Sequence, residues 1–410
     1  MMRSLYAGVT GLRNHQTRLD VIGSNIANVN TVGYKKSRVT FRDALYQNLR
    51  GASSPQGNRG GTNPQQIGLG MNLSTVDVIH DGSSSQSTGK TTDLCIQQGG
   101  YFIVNDGGRN FFTRAGNFDF DQTGNFVNLA NGYQVMGYLA NANGVINYDN
   151  LVPLSKANYS TVPPRATTSA VINGNFDAEI PITAPGNTKT VTKSVFDSLG
   201  YEHTLNVTYT HTAVNAWTVS YALDGTAGAA TANITFDPDG TLAAASPTTL
   251  AVSSAITTGA TTPLALTVDF ADITQYESET TAAIASQDGY EPGDMRSFTI
   301  DVTGTIMGSY SNGISQNIGQ VATATFQNPA GLLQVGENMF QFSNNSGDPQ
   351  IGAPGTGSRG TIIPGSLEMS NVDLSSEFTD MIVTQRGFQA NSRIITTSDE
   401  MLQELVNLKR

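Results

Sequence analysis

Four histidines, one cysteine and a pair of aspartates near residue 120 are the side chains with which this 410-residue chain could do chemistry. None of His15, His80, His203 and His211 stands in an H-x-x-E-H or H-x-H spacing that would set two ligands toward one zinc ion. No G-x-S-x-G nucleophile turn occurs, and no glycine-rich phosphate loop ending in G-K-[S/T]. Asp119-x-Asp121-x-Thr123-Gly124 has the opening oxygens of a calcium loop but not the rest of its frame, so it reads as a hairpin turn. Cys95, in TTDLCIQQGGYFIV, has no second cysteine to pair with and reads as a small buried hydrophobe. The other carboxylates do not stand apart from turn chemistry, which leaves a glycosidase pair without support. No catalytic residue, cofactor or metal site is predicted, so the informative residues are those that position chains against one another.

Composition narrows the class. Only 13% of residues are charged, while glycine is frequent at 43, a profile of β-rich, often extracellular proteins rather than cytosolic enzymes. The net charge is −11, and residues 150–289 carry most of it, with twelve acidic against four basic side chains. An acidic middle excludes a nucleic-acid partner, which requires a basic face, and suits an exposed, soluble surface. No apolar run approaches the length of a membrane span. The start, MMRSLYAGVTGLRNHQ, lacks the continuous apolar core of a cleaved signal peptide, so any export is expected by another route.

The two ends read as helices. Leu367, Leu374, Met381, Phe388, Ile395 and Leu402 recur every seventh residue, with Phe378, Ile394, Leu405 and Leu408 beside them. A repeat of seven holds one stripe toward a partner helix, as in coiled coils. Pro364-Gly365 breaks the preceding segment; Asp373, Glu377 and Asp380 suit the start of such a helix, and Lys409 and Arg410 its end. From Leu374 to Leu408 it would run roughly 50 Å. Gly387 inside it costs about 1 kcal/mol against alanine, which is natural where a second helix packs closely. The N-terminus supplies that helix: Leu5, Leu12, Leu19 and Ile26 are again seven apart, widened by Val9, Ile22 and Val29. Residues 1–50 hold eight basic against two acidic side chains, and residues 367–410 four against seven, so the ends also attract modestly. The plainer alternative is a two-helix packing at the edge of one globular domain.

Between the ends the pattern is β. Residues 51–70 and 352–360 are Gly- and Pro-rich and read as flexible connectors. Short strands punctuated by Asn105-Asp106-Gly107-Gly108, Asn131-Gly132 and Asn143-Gly144 form a meander from about residue 71, and a similar pattern returns near residue 290. Leu205, Val207 and Tyr209, then Trp217, Val219 and Tyr221, then Leu264, Leu266, Val268 and Phe270 alternate, each with one buried face. The expected fold is multidomain: mainly β core and outer domains in a nested insertion, with α-helical coiled-coil N- and C-terminal segments. Residues 1–30 and 371–410 are the paired terminal helices, 31–72 and 352–370 the connectors, 73–149 and 290–351 the core β-domain, and 150–289 the inserted outer β-domain.

These motifs have a family. LDVIGSNIANVNTVGYKK (residues 19–36), with Asn25-Ile26-Ala27-Asn28 and then Thr31-x-Gly33-Tyr34-Lys35, resembles the N-terminal signature of the bacterial flagellar axial proteins, the rod, hook and hook-associated proteins. GSLEMSNVDLSSEFTDMIVTQRGFQANSRIITTSDEML resembles their C-terminal signature. TDLCIQQGGYFIV and FFTRAGNFDFDQTGNFVN are similar to the shared core β-domain, where Cys95 replaces a small apolar residue such as alanine. VFDSLGYEHTLNVTYT, with FDPDGTL further on, is similar to the outer domain of the hook branch. The resemblance implies a structural subunit of the extracellular hook, a flexible curved tube that passes motor torque from rod to filament as a universal joint. It implies a homopolymer whose neighbours are the rod, hook cap and hook-filament junction proteins, exported through the flagellar type III apparatus. Assembly residues are then expected at Leu5, Leu12, Leu19, Ile22, Asn25, Ile26 and Asn28, and at Leu374, Phe378, Met381, Phe388, Ile395 and Leu402. The end helices are expected to be disordered in the lone chain and to fold on assembly. A distal rod-type protein is the alternative, although that branch is shorter and lacks a segment like 150–289; a secreted β-rich adhesin is a third reading.

Overall fold

The computed structural model describes residues 2–408 apart from Gln56, Asn58 and Ala184. The basic pair Lys409-Arg410, expected at the end of the C-terminal helix, lies outside the described residues. The chain forms two compact units. One comprises Met1–Ala157, Thr299–Met307 and Asn317–Arg410; the other comprises Asn158–Phe298 and Gly308–Gln316.

The first unit carries both helices, α1 (Met2–Ala27) and α2 (Leu374–Asn407). Asp373 caps α2 by accepting from the Ser375 amide at 3.0 Å, and Glu377 lies in its first turn, which satisfies an orphan donor and complements the dipole. After α1 the chain turns through Asn28 to Gly33, whose φ of +69° places it in the left-handed region. Gly33 is required there twice over, because a Cβ would meet the Ala115 amide nitrogen at 2.5 Å. Four strands follow: β1 (Ser37–Asp43), β2 (Tyr46–Arg50), β3 (Gln65–Gly68) and β4 (Met71–Val78). β1 pairs with β4 and β2 with β3, both antiparallel.

The core of this unit is an antiparallel sheet in the order Ser315–Val321, Gln134–Leu139, Tyr101–Asn105, Asn110–Thr113, Met339–Gln341, Leu333–Gly336. Tyr101, Ile103, Phe112, Met136, Ala324, Phe326 and Phe340 fill one buried cluster. Cys95 is buried in the strand Leu94–Ile96, the small-hydrophobe role expected of it. The Asp119–Gly124 stretch is a turn: Asp121 accepts from the Thr123 hydroxyl and the Asn125 amide, while Asp119 pairs with Lys90 at 2.7 Å. Among the described residues no cluster of three His, Cys, Asp or Glu could hold a metal ion.

The second unit has a four-stranded antiparallel sheet, Thr188–Phe196, Glu202–Ala213, Ala216–Leu223 and Thr226–Thr235, and a five-stranded sheet around Ser169–Asp177. In Glu202–Ala213 and Ala216–Leu223 burial alternates residue by residue, so every apolar side chain of the pattern enters one core with Trp217, Tyr209 and Phe176 at its centre. Asp224-Gly225 turns one hairpin with both residues at positive φ, 48° and 79°.

Two segments read as flexible connectors are built differently. The 51–70 stretch lies partly in the β2–β3 hairpin, extended by a bridge between Ser53 and Thr62. The 352–360 stretch is a closed loop on the core: the Gly360 amide donates to the Gly99 carbonyl (2.8 Å), and Arg359 Nε donates to the Ala353 carbonyl (3.1 Å). Polar composition predicted exposure, which is met for most of 51–70, but not the main-chain pairing that orders both segments.

Candidate assembly interface

The two helices pack antiparallel, as the order of their contacts requires. Gly8 faces Ile395 and Asn391, Gly11 faces the Asn391 side chain, Gly387 faces His15, Arg18 pairs with Asp380 at 3.1 Å, and Asn25 donates to Glu377 Oε2 at 3.2 Å. Glycine makes this approach possible. A Cβ on Gly11 would meet Asn391 Nδ2 at 2.6 Å, and one on Gly8 would meet Ile395 Cγ1 at 3.2 Å. The residues buried in α1 are Gly8, Gly11, Asn14, Ile22 and Asn25, and those in α2 are Glu377, Thr384 and Ser398. Glu377, Thr384, Asn391 and Ser398 are themselves spaced by seven. The seam is therefore small and polar.

Of the expected apolar rows spaced by seven, Ile395 enters the seam against Gly8, and the other members are only partly buried or exposed. Leu5, Leu12, Leu19 and Ile26 are half-buried, as are Met381, Ile395 and Leu402. Leu374, Phe378 and Phe388 are exposed, together with Ile382, Val383, Ile394, Met401 and Leu405. Of the residues singled out from sequence, Ile22 and Asn25 are the buried ones. A seven-residue repeat predicts that a stripe faces a partner but not which stripe faces which, and close contact between backbones selects the row with the smallest side chains.

Asn25 and Asn28 have local duties. Asn25 Oδ1 accepts from the Ser37 amide (3.0 Å) and the Tyr34 hydroxyl (3.2 Å), and its Nδ2 donates to the Ser37 carbonyl (2.8 Å). Asn28 Nδ2 donates to the Ser24 carbonyl (2.9 Å), and its Oδ1 accepts from the Thr31 hydroxyl (3.1 Å). Together they close the end of α1 and turn the chain into β1. Asn14 Nδ2 donates to the Met71 carbonyl (2.8 Å), tying α1 to β4.

Beneath this turn lies a charge cluster that sequence reasoning missed. Lys35 Nζ donates to Glu368 Oε1 (2.7 Å) and the Asp81 carbonyl (2.7 Å). Arg114 Nη1 donates to Glu368 Oε2 and the Ile96 carbonyl, both at 3.1 Å, and Nη2 to the Gln98 carbonyl at 2.6 Å. Burial pulls the Lys35 ammonium below its ordinary pKa, and Glu368 offsets part of that. Lys35 was legible as part of a signature, and Glu368 only as one acid among seven in its segment. Nothing in the sequence joins positions 35, 114 and 368.

Mostly β units, a helix at each end and a polar helix seam define a class that the comparisons specify. Four family models match in chain order: "Flagella basal body rod protein" over residues 5–35, "Flagellar hook protein FlgE/F/G D1 domain" over 95–192, "Flagellar basal body protein FlaE D2 domain" over 165–290, and "Flagellar basal body rod FlgEFG protein C-terminal" over 363–408. These are the axial proteins of the bacterial flagellum. The chain is 42% identical to the flagellar hook protein FlgE of Borreliella burgdorferi and 39% identical to that of Treponema pallidum, in each case over 100% of both chains. It is 34% identical to the flagellar basal-body rod protein FlgG of Bacillus subtilis, again over 100% of both. The crystal structure of Helicobacter pylori flagellar hook protein FlgE2 shares the fold with a TM-score of 0.55 at 16% identity, covering 69% of this chain and 100% of that one. The chain belongs to the flagellar hook protein family: it is a structural subunit of the bacterial flagellar hook, a part of the basal body and hook apparatus of motility. Among the described residues no helix is long and apolar enough to cross a membrane.

Proposed function

We propose that copies of this chain assemble head to tail into a flexible curved tube that carries torque from rod to filament as a universal joint. The observation that carries the reading is the placement of the apolar rows. A helix pair already closed along a small, polar seam still presents Leu374, Phe378, Phe388, Ile394, Met401 and Leu405 to solvent. Exposed apolar surface on that scale calls for further copies. Repeated contacts that do not close on themselves give a helical polymer. Leu5, Leu12, Leu19, Ile22, Asn25, Ile26 and Asn28 on α1, with Leu374, Phe378, Met381, Phe388, Ile395 and Leu402 on α2, are the assembly residues in this reading. The paired helices, 1–30 and 371–410, are inner-tube parts that coil around the channel. Segments 31–72 and 352–370 link them to the core β-domain of 73–149 and 290–351, into which the outer domain of 150–289 is inserted.

In the lone chain the end helices are disordered and fold when copies meet, because a one-seam helix alone buries too little apolar area. Rod, hook cap and hook-filament junction proteins are the neighbours, and export runs through the flagellar type III apparatus to the cell exterior. The test is assembly of purified protein in salt, viewed by negative-stain electron microscopy. Short curved tubes with a channel are expected from the unmodified chain, and none from Leu19→Asp or Phe388→Asp chains whose β units still melt cooperatively. Monomers under every condition, or tubes from the aspartate variants, would refute it.

A further inference from the structure

Both helices leave the β body beside one buried carboxylate. Glu368 ends the strand Ser366–Glu368, which pairs with Ser85–Ser87, and stands just before the α2 cap. Its backbone carbonyl accepts from the Gly33 amide at 2.8 Å, and its side chain accepts from Lys35, Arg114 and the Ser83 amide at 2.7, 3.1 and 3.2 Å. The three charged side chains are at most 3% exposed. One comes from the turn after α1, one from the end of a core hairpin and one from the approach to α2.

Next to this cluster the same chain segments are stitched again. Asn371 Oδ1 accepts from the Lys36 amide (2.7 Å), Asn371 Nδ2 donates to the Ile79 carbonyl (2.9 Å), and the Ser83 hydroxyl donates to the Ser370 carbonyl (2.9 Å). Buried charges add little stability that an apolar set of the same volume would not supply. What they impose is a single geometry, since any slip between the three segments leaves a charge buried without its partner.

We propose that Lys35, Glu368 and Arg114 are positioning residues that set the angle and register at which the α1–α2 pair leaves the β body, and so the subunit geometry of the tube. This rests on the tube reading above. Arg114 and Glu368 are the socket on the body, and Lys35 is the side chain the N-terminal segment inserts into it.

The test compares the unmodified chain with Lys35→Met, Lys35→Arg and the triple variant Lys35→Met/Arg114→Met/Glu368→Leu. Each is melted as a lone chain, then assembled in salt, and the tubes are measured for subunit spacing and curvature. Lys35→Met leaves a neutral Glu368–Arg114 pair and changes a residue outside the strands, so its β units are expected to melt within a few degrees of the unmodified chain. Its tubes are expected to be absent or changed in spacing, and Lys35→Arg is expected to restore them. The triple variant, with no unpaired charge, is expected to behave like Lys35→Met; should it fail to fold, Lys35→Met and Lys35→Arg still decide. Lys35→Met tubes with unmodified spacing and curvature would overturn the proposal alone, as would a Lys35→Met chain whose β units no longer fold. No tubes from the unmodified chain would overturn the tube reading and this proposal with it.

Discussion

Gly387 lies against the imidazole of His15: a Cβ built on it would stand 2.8 Å from Cε1 and 2.9 Å from Nε2. The contact lies in the antiparallel seam of the helix pair and explains why α2 tolerates a glycine in its interior. His15 has a lowered pKa, because burial and then the neighbouring Arg18 both disfavour its charge.

Gly387→Ala is therefore expected to act with opposite signs on the helix and on the pair. Alanine favours the isolated helix by about 1 kcal/mol, whereas an added methyl in a closed seam costs roughly 1–3 kcal/mol. A peptide of residues 372–408 should gain helicity by circular dichroism, while the full chain should lose tube yield. Equal or higher yield from the variant would mean that the helices do not approach this closely in the assembly.

That helices stand at both ends, and where the second begins, was legible because a Pro-Gly break, acidic residues in the first turns and a seven-residue apolar repeat are local signals. Which faces meet was not. Gly8 and Gly11 act through distance, and a search for apolar periodicity gives them no weight; Gly387 alone points to a closely packed second helix. The strands of the second unit were legible for a similar reason: Leu205, Val207 and Tyr209 alternate with polar residues on a half-buried sheet. The β2–β3 hairpin was not, because all nine of its strand residues are exposed and no alternation marks them. The Lys35–Glu368–Arg114 cluster was hidden by chain distance alone.

His203 makes the second unit sensitive to pH. Its Nδ1 lies 2.6 Å from Asp224 Oδ2 and its Nε2 3.3 Å from Asp197 Oδ2, and the Thr258 hydroxyl also donates to Asp197 at 2.6 Å. Burial is the largest influence and opposes the charge, but hydrogen bonds and attraction to the two carboxylates outweigh it, so the pKa is raised. A raised histidine contributes stability that is full below the ordinary value of 6.5 and lost as pH rises through the folded value. The pKa values of Asp197 and Asp224 are lowered, so their contribution fades only in stronger acid. Trp217, the single tryptophan, sits in this unit's core and reports its melting. Its transition should fall from pH 5.5 to pH 8, by roughly 2–4 °C for each kcal/mol lost. His203→Gln should flatten that slope, and an unchanged slope would exclude His203 as its source.

Cys95 offers the matching probe for the first unit. The thiol is 2% exposed, and burial, then Glu368, pushes its pKa up to about 11. Reaction needs both exposure and thiolate, so a dipyridyl disulfide is expected to label Cys95 at the rate of unfolding and not before. Rapid labelling of the native chain would show that the Leu94–Ile96 strand opens locally.

With that probe the first unit should show the opposite pH dependence. His80 Nδ1 lies 2.7 Å from the Tyr101 hydroxyl, and its ring stands edge-on to Tyr101 and Phe340, at 6.0 and 5.2 Å between centroids. Burial lowers its pKa to about 4; the cations Lys35 and Arg114 push the same way, and Asp81 pushes back. A lowered histidine remains neutral in the folded chain while the unfolded chain takes up a proton, so stability falls as pH drops from about 6.5 toward about 4. Cys95 labelling should therefore speed up between pH 7 and pH 5, after correction for the reagent's own pH dependence, while the Trp217 transition rises over the same interval. His80→Gln, which keeps an acceptor for Tyr101, should remove the first trend and leave the second. If His80→Gln leaves the Cys95 trend intact, the acid sensitivity of the first unit comes from a different group, and His80 is not held neutral by its surroundings.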